Sequence, residues 1–109
     1  MSEPNHPKER RLHPRFTVEG SIHLGKEGAA VLKDLSMSGL SCLSPVPFEE
    51  MTVLEVTMKL PGDQPVTVGG AVVRCEASDE GHLVAIFFTH MDETNTVALR
   101  NFIEGQQRS

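Results

Sequence analysis

The chain has 109 residues, 39% of them hydrophobic and 23% charged, with a net charge of −5, a balance that predicts one folded domain rather than a disordered chain. There is no Trp, no Tyr and only 5 Phe, which argues against the aromatic platforms that bind single-stranded nucleic acid. The longest apolar run, Leu83 to Phe88, is far short of the roughly 20 residues that cross a bilayer.

The opening segment, Met1 to Pro7, carries Pro4 and Pro7 among polar residues and no apolar run, so it predicts disorder and no secretory signal. Residues 1–15 hold Lys8, Arg10, Arg11 and Arg15 against Glu3 and Glu9, a net +2, and the rest of the chain carries −7. A short basic arm thus precedes an acidic body that repels long nucleic acid. From Phe16 the pattern alternates: Phe16, Val18, Ile22 and Leu24 against Thr17, Glu19, Ser21 and His23, as in a half-buried strand. Gly25 to Gly28 is a turn. A second strand follows over Ala29 to Leu35, and Gly39 separates it from a short third, Leu40 to Leu43. The prolines of Ser44 to Pro47 make the next segment a loop.

The fourth strand places Leu54, Val56, Met58 and Leu60 on one face and Val53, Glu55, Thr57 and Lys59 on the other. Pro61-Gly62-Asp63 predicts a hairpin turn. The fifth strand, Val66 to Cys75, has Gly69-Gly70 in its middle, which predicts a bulge or sharp bend. After a turn over Ala77 to Gly81, the sixth strand, His82 to Thr89, is apolar on both faces and is expected at the centre of the fold. Asp92 is a good N-cap for a helix of about three turns carrying Leu99, Phe102 and Ile103 on one side, with Gly105 as its stop. Six short strands with regular turns favour a small closed barrel, because closure removes exposed edges.

Chemistry is sparse. His6, His13, His23, His82 and His90 form no metal-binding spacing, and there is no nucleophile elbow or phosphate loop. Cys42 and Cys75 lie in no CxxC pair and read as small core residues in a reducing, cytoplasmic setting. No catalytic residue, cofactor or metal is expected, and the chain does not read as an enzyme. Two local patterns remain. One is Arg11-Leu12-His13-Pro14-Arg15, an RxxxR preceded by Arg10. The other is Asp34-Leu35-Ser36-Met37-Ser38-Gly39, a DxSxxG at the end of the second strand. Three Arg within six residues supply planar donors suited to a compact anion, although such a cluster taken alone is more often a solvated tail. Asp34 and Ser36, two apart, share a side of an extended backbone, and Gly39 permits a tight left-handed turn and close approach of a ligand. Taken alone, the same residues make a turn that merely links two strands.

Together and in this order, the two patterns resemble the PilZ domain, the bacterial receptor for cyclic di-GMP. The resemblance extends from Glu9-Arg10-Arg11 through the strand at Phe16 to Val72-Val73-Arg74-Cys75-Glu76, Val84-Ala85-Ile86-Phe87-Phe88 and the Asp92 helix. Ala85 stands where family members often have Gly. The resemblance implies a mainly β fold, a six-stranded antiparallel β-barrel of split-barrel type with a C-terminal α-helix. Its limits would be a flexible arm over residues 1–9, the domain over 10–105 and a disordered tail over 106–109.

It further implies cyclic di-GMP as ligand, with Arg11 and Arg15 on guanine edges and phosphates, Arg10 in support, Asp34 accepting from the guanine N1–H and N2–H₂ side, Ser36 donating to the ligand or fixing Asp34, and Gly39 keeping the approach open. Val73 and Arg74 either line the ligand face or are structural strand positions. The implied role is a stand-alone cytoplasmic adaptor. Binding would order the arm and relay the signal to an effector protein of motility, adhesion or polysaccharide export, with no nucleic acid polymer and no membrane span involved. The alternative is a PilZ-type interaction module independent of cyclic di-GMP.

Overall fold

The computed structural model describes residues 16–59 and 65–107. Arg10, Arg11 and Arg15, and the turn expected at Pro61 to Asp63, lie outside the described residues. The element order is β1 (Phe16–Leu24), β2 (Ala29–Leu35), β3 (Gly39–Ser44), β4 (Val53–Lys59), β5 (Val66–Ser78), β6 (Gly81–His90) and α1 (Glu93–Gln107). The strands close into a barrel in the order β1-β2-β3-β6-β5-β4, every described pairing being antiparallel. Closure comes from β1 meeting β4, Ser21 to Leu24 against Lys59 to Val56.

Alternation determines which side chains fill the interior. Ile22 and Leu24, Leu32 and Leu35, Leu40 and Cys42, Val56 and Met58, Val68 and Val72, and Val84 and Ile86 are all buried. α1 covers the barrel with Leu99, Phe102 and Ile103, also buried. Its N-terminus is built as its residues suggest: the Asn95 backbone N–H donates to Asp92 Oδ1 at 2.8 Å. That bond, before the Asn95 amide and nearby His90, holds the Asp92 carboxyl below its ordinary value. Asn95 Oδ1 in turn accepts from the Thr67 N–H at 2.9 Å, tying the helix to β5.

Several expectations are corrected. Gly105 does not stop the helix, which runs on to Gln107; it is not among the positive-φ glycines, so it forms no left-handed cap. β5 is longer than expected, because it and β6 pair out to Ser78 opposite Gly81. The turn shrinks to Asp79 and Glu80. The bend at Gly69-Gly70 is present as a register shift, and a second shift lies between Val72 and Arg74. β6 is not enclosed on both faces: Val84, Ile86 and Phe88 are buried, whereas Leu83 is 40% and Phe87 53% exposed. In a closed barrel every strand keeps one face outside, whatever its composition.

Cys42 and Cys75 flank Val84 from opposite neighbouring strands. Two interstrand spacings separate their backbones by about 10 Å, beyond disulfide reach. Both thiols are free. Burial, and secondarily Cys75, pushes the Cys42 thiol from 9.0 up to about 12. The unfolded chain therefore sheds this proton as pH rises past its ordinary value while the folded chain keeps it, and stability drains away between about pH 9 and 12. Urea midpoints are expected to fall across that window in the native sequence, and Cys42→Ala is expected to flatten the decline. An unchanged slope in Cys42→Ala would place its origin elsewhere.

Candidate ligand-binding site

β2 ends and β3 begins around the segment Asp34 to Gly39. The Ser36 N–H donates to the Gly39 carbonyl at 2.9 Å, and the Ser36 hydroxyl donates to the same carbonyl at 3.3 Å while accepting from the Ser38 N–H at 3.2 Å. A short polar side chain that bonds to its own backbone favours such a turn over continued strand. The Phe88 N–H donates to the Ser38 carbonyl at 2.9 Å, fastening the turn to β6.

Two expected roles change here. Ser36 is fully buried, its hydroxyl engaged by Gly39 and Ser38 within the turn, so it is not presented to solvent beside the half-buried Asp34. Gly39 is not in a left-handed conformation; among the described residues the positive-φ glycines are Gly25, Gly28 and Gly81. What requires glycine at position 39 is contact with β6: a Cβ there would overlap the Ile86 carbonyl oxygen. The close approach inferred from sequence exists, but the approaching group is the protein's own backbone.

Asp34 is half-buried on β2. Its Oδ2 accepts a 2.7 Å hydrogen bond from the Ser41 hydroxyl on β3. Nothing in the sequence singles out Ser41; the two residues are partners because the register pairs them. The pairing continues across the barrel, Ser41 with Ala85 on β6 and Ala85 with Arg74 on β5. On the other side Asp34 pairs with Thr17 on β1. Arg74 and Val73 are both exposed, beside the register shift, so Asp34, Ser41, Ala85 and Arg74 form one transverse row. The carboxylate at one end and the guanidinium at the other are three interstrand spacings apart, about 14 Å.

Phe16, the residue that follows Arg15, pairs with Leu35. The sheet therefore brings the chain's entry into β1 next to the Asp34–Gly39 turn. Surface depressions of about 530 and 400 Å³ lie elsewhere, the first along Leu24 to Glu27 and Pro47 to Glu49, the second along Ala29 to Val31 and Leu43 to Pro45. Neither includes Asp34, Ser41 or Gly39. No group of three His, Cys, Asp or Glu side chains suited to a metal occurs among the described residues. Nor is any described helix long and apolar enough to cross a membrane.

The model of the PilZ domain family matches residues 9–105. The chain belongs to the PilZ domain family. No curated protein matches it by sequence. Among solved structures, the inhibitor of motility MotI/DgrA of Bacillus subtilis superposes with a TM-score of 0.78 at 16% identity, over 92% of this chain and 52% of that one. YcgR of Escherichia coli, in complex with c-di-GMP, gives 0.76 at 14% identity, over 91% of this chain and 46% of that one. MrkH, described as a c-di-GMP-dependent transcription regulatory factor, gives 0.74 at 16% identity, over 93% and 52%. The chain thus spans about half the length of these proteins, and the likeness is one of fold. It places the barrel and helix of this PilZ domain among theirs.

Proposed function

We propose that this PilZ domain binds cyclic di-GMP, with Arg10, Arg11 and Arg15 forming one wall of the site and the Asp34–Gly39 turn the other. The observation that supports the reading is the pairing of Phe16 with Leu35: the RxxxR pattern ends in sequence at the residue before Phe16, and Leu35 lies within the DxSxxG segment. In this reading Arg15 and Asp34, nineteen positions apart in sequence, serve one site because β1 and β2 are antiparallel neighbours. YcgR, a structural neighbour of this fold, is itself a c-di-GMP complex.

Each residue has a distinct task. Arg11 and Arg15 offer paired N–H donors to guanine O6 and N7 and to the phosphodiesters, and Arg10 adds a further cationic contact. Asp34, held by Ser41, accepts from guanine N1–H and N2–H₂. Ser36 shapes the turn from inside, and Gly39 allows β3 to lie against β6. The described part of the site is open sheet surface, whereas small-ligand sites are concave. Binding therefore needs a second wall, which the basic segment supplies, and the composite surface of segment, ligand and barrel is what an effector protein of motility, adhesion or polysaccharide export would recognise.

Isothermal titration with cyclic di-GMP, with cyclic di-AMP and GTP as controls, tests the reading. Saturable heat with cyclic di-GMP alone, at one or two ligands per chain, is the expected result. Arg11→Ala and Arg15→Ala are each expected to weaken binding by about 1–3 kcal/mol. Absence of heat would favour the second reading, a ligand-independent interaction module. Met51 and Val53, 75% and 76% exposed, are the observation behind that second reading, because exposed apolar side chains next to one another mark protein contacts.

A further inference from the structure

Phe87 is 53% exposed on the outer face of β6. Of the other phenylalanines whose side chains are described, Phe88 and Phe102 are buried and Phe48 is half-buried against the core. On β3 its partner is Gly39, and on β5 its partner is Ala71. Two residues along the same face of β6 is Ala85, flanked by Ser41 and Arg74. The ring is thus bordered by glycine, two alanines and a serine, with no large side chain among its strand partners. Val73, 50% exposed beside the register shift, adds apolar surface next to Arg74. The polar end of this shelf is Asp34, two interstrand spacings from β6, or about 10 Å.

We propose that Phe87 is a stacking platform for a purine base, with Gly39, Ser41 and Ala85 forming the low floor over which the base lies. This rests on the cyclic di-GMP reading above and deepens it by naming the surface that takes the flat face of one guanine. A base hydrogen-bonded at its edge by Asp34 projects its ring system across β3 toward β6. There a small-residue floor leaves room for it, and an exposed ring meets it. Stacking on an aromatic face is tolerant of base identity. Asp34 and the arginines therefore set the preference for guanine, while Phe87 adds affinity without adding discrimination.

The absence of Trp and Tyr supplies a direct test, because Phe87→Trp introduces a sole strong fluorophore. Val97→Trp serves as reference; Val97 is 42% exposed on α1, whose first turn docks at Thr67. Calorimetry and fluorescence are run on the same samples with cyclic di-GMP. Saturating quenching in Phe87→Trp and none in Val97→Trp is expected. In addition, Phe87→Ala should bind about 5- to 100-fold more weakly, with an equal loss for any cyclic purine dinucleotide that binds and an unchanged melting temperature. Heat of binding with unquenched Phe87→Trp would overturn the platform while leaving the receptor reading intact, and so would equal quenching in both variants. No heat with the native sequence would overturn the receptor reading, and the platform with it.

Discussion

Replacing Gly39 with alanine is expected to cost the domain about 3 kcal/mol or more, seen as a fall in melting temperature above about 10 °C. The reason is what the new methyl would meet. At position 39 a Cβ overlaps the Ile86 carbonyl oxygen, a backbone group on the neighbouring strand that has no rotamer to change. Gly39 pairs with Phe87 in the β3–β6 ladder, and the Ser36 bonds to its carbonyl hold the turn. Relief of the overlap therefore requires β3 to separate from β6 or the turn to open. Ligand affinity should fall with stability, because the same displacement moves Asp34 relative to the row it heads. Gly69→Ala is the matched comparison: its nearest neighbour is the His90 Cβ at 3.4 Å, and it is expected to cost less than about 1 kcal/mol. Urea unfolding of both variants decides the matter. A Gly39→Ala protein as stable as Gly69→Ala would mean that the β3–β6 spacing is not fixed as described.

Asp34→Ala is expected to weaken cyclic di-GMP binding by about 1–3 kcal/mol while cyclic di-AMP binding does not fall and rises toward that of the guanine ligand, relaxing the preference between them. Guanine presents N1–H and N2–H₂ to a carboxylate as two donors, whereas adenine presents the lone pair of N1 and repels it. Removing the carboxylate thus removes both the attraction to one base and the repulsion from the other. Asp34 is half-buried on the outside of β2, so the free protein's melting temperature should move little. Ser41→Ala, which deletes the 2.7 Å bond to Oδ2, should produce a smaller loss in the same direction, because the carboxylate remains but its plane is no longer held. Titrating both dinucleotides into both variants separates the outcomes. Equal losses for guanine and adenine ligands would make Asp34 a structural residue of the β2–β3 turn.

Much of this molecule is legible along the chain because barrel strands carry a strong local signal. Ile22 and Leu24, or Val56 and Met58, alternate with exposed residues, and that period alone states which side faces inward. The Asp92 cap was equally local, since an N-cap bonds to a backbone group three residues away. Errors arose where a residue's role depends on a partner far off in sequence. Phe87 read as interior because its neighbours Ile86 and Phe88 are apolar, yet only closure of the sheet determines that one face of β6 lies outside. Gly39 read as a turn residue because glycine after a DxSxx segment suggests left-handed backbone; the actual constraint, Ile86, is 47 residues away. Ser36, expected to donate to the ligand or to fix Asp34, is a local case: its hydroxyl is engaged by Gly39 and Ser38 of the turn it helps to make.

The amino-acid sequence by itself determined the number of strands, the inward-facing residues of the alternating strands, the helix start and the family, because each rests on spacings of two to four residues or on a short motif. Only the tertiary structure decided that Phe16 meets Leu35, that Ser41 holds Asp34, and that Ala85, Arg74 and Phe87 share a face with them. Register is a property of paired strands rather than of either strand alone, and a slip of one residue would send every one of these side chains to the other side of the sheet.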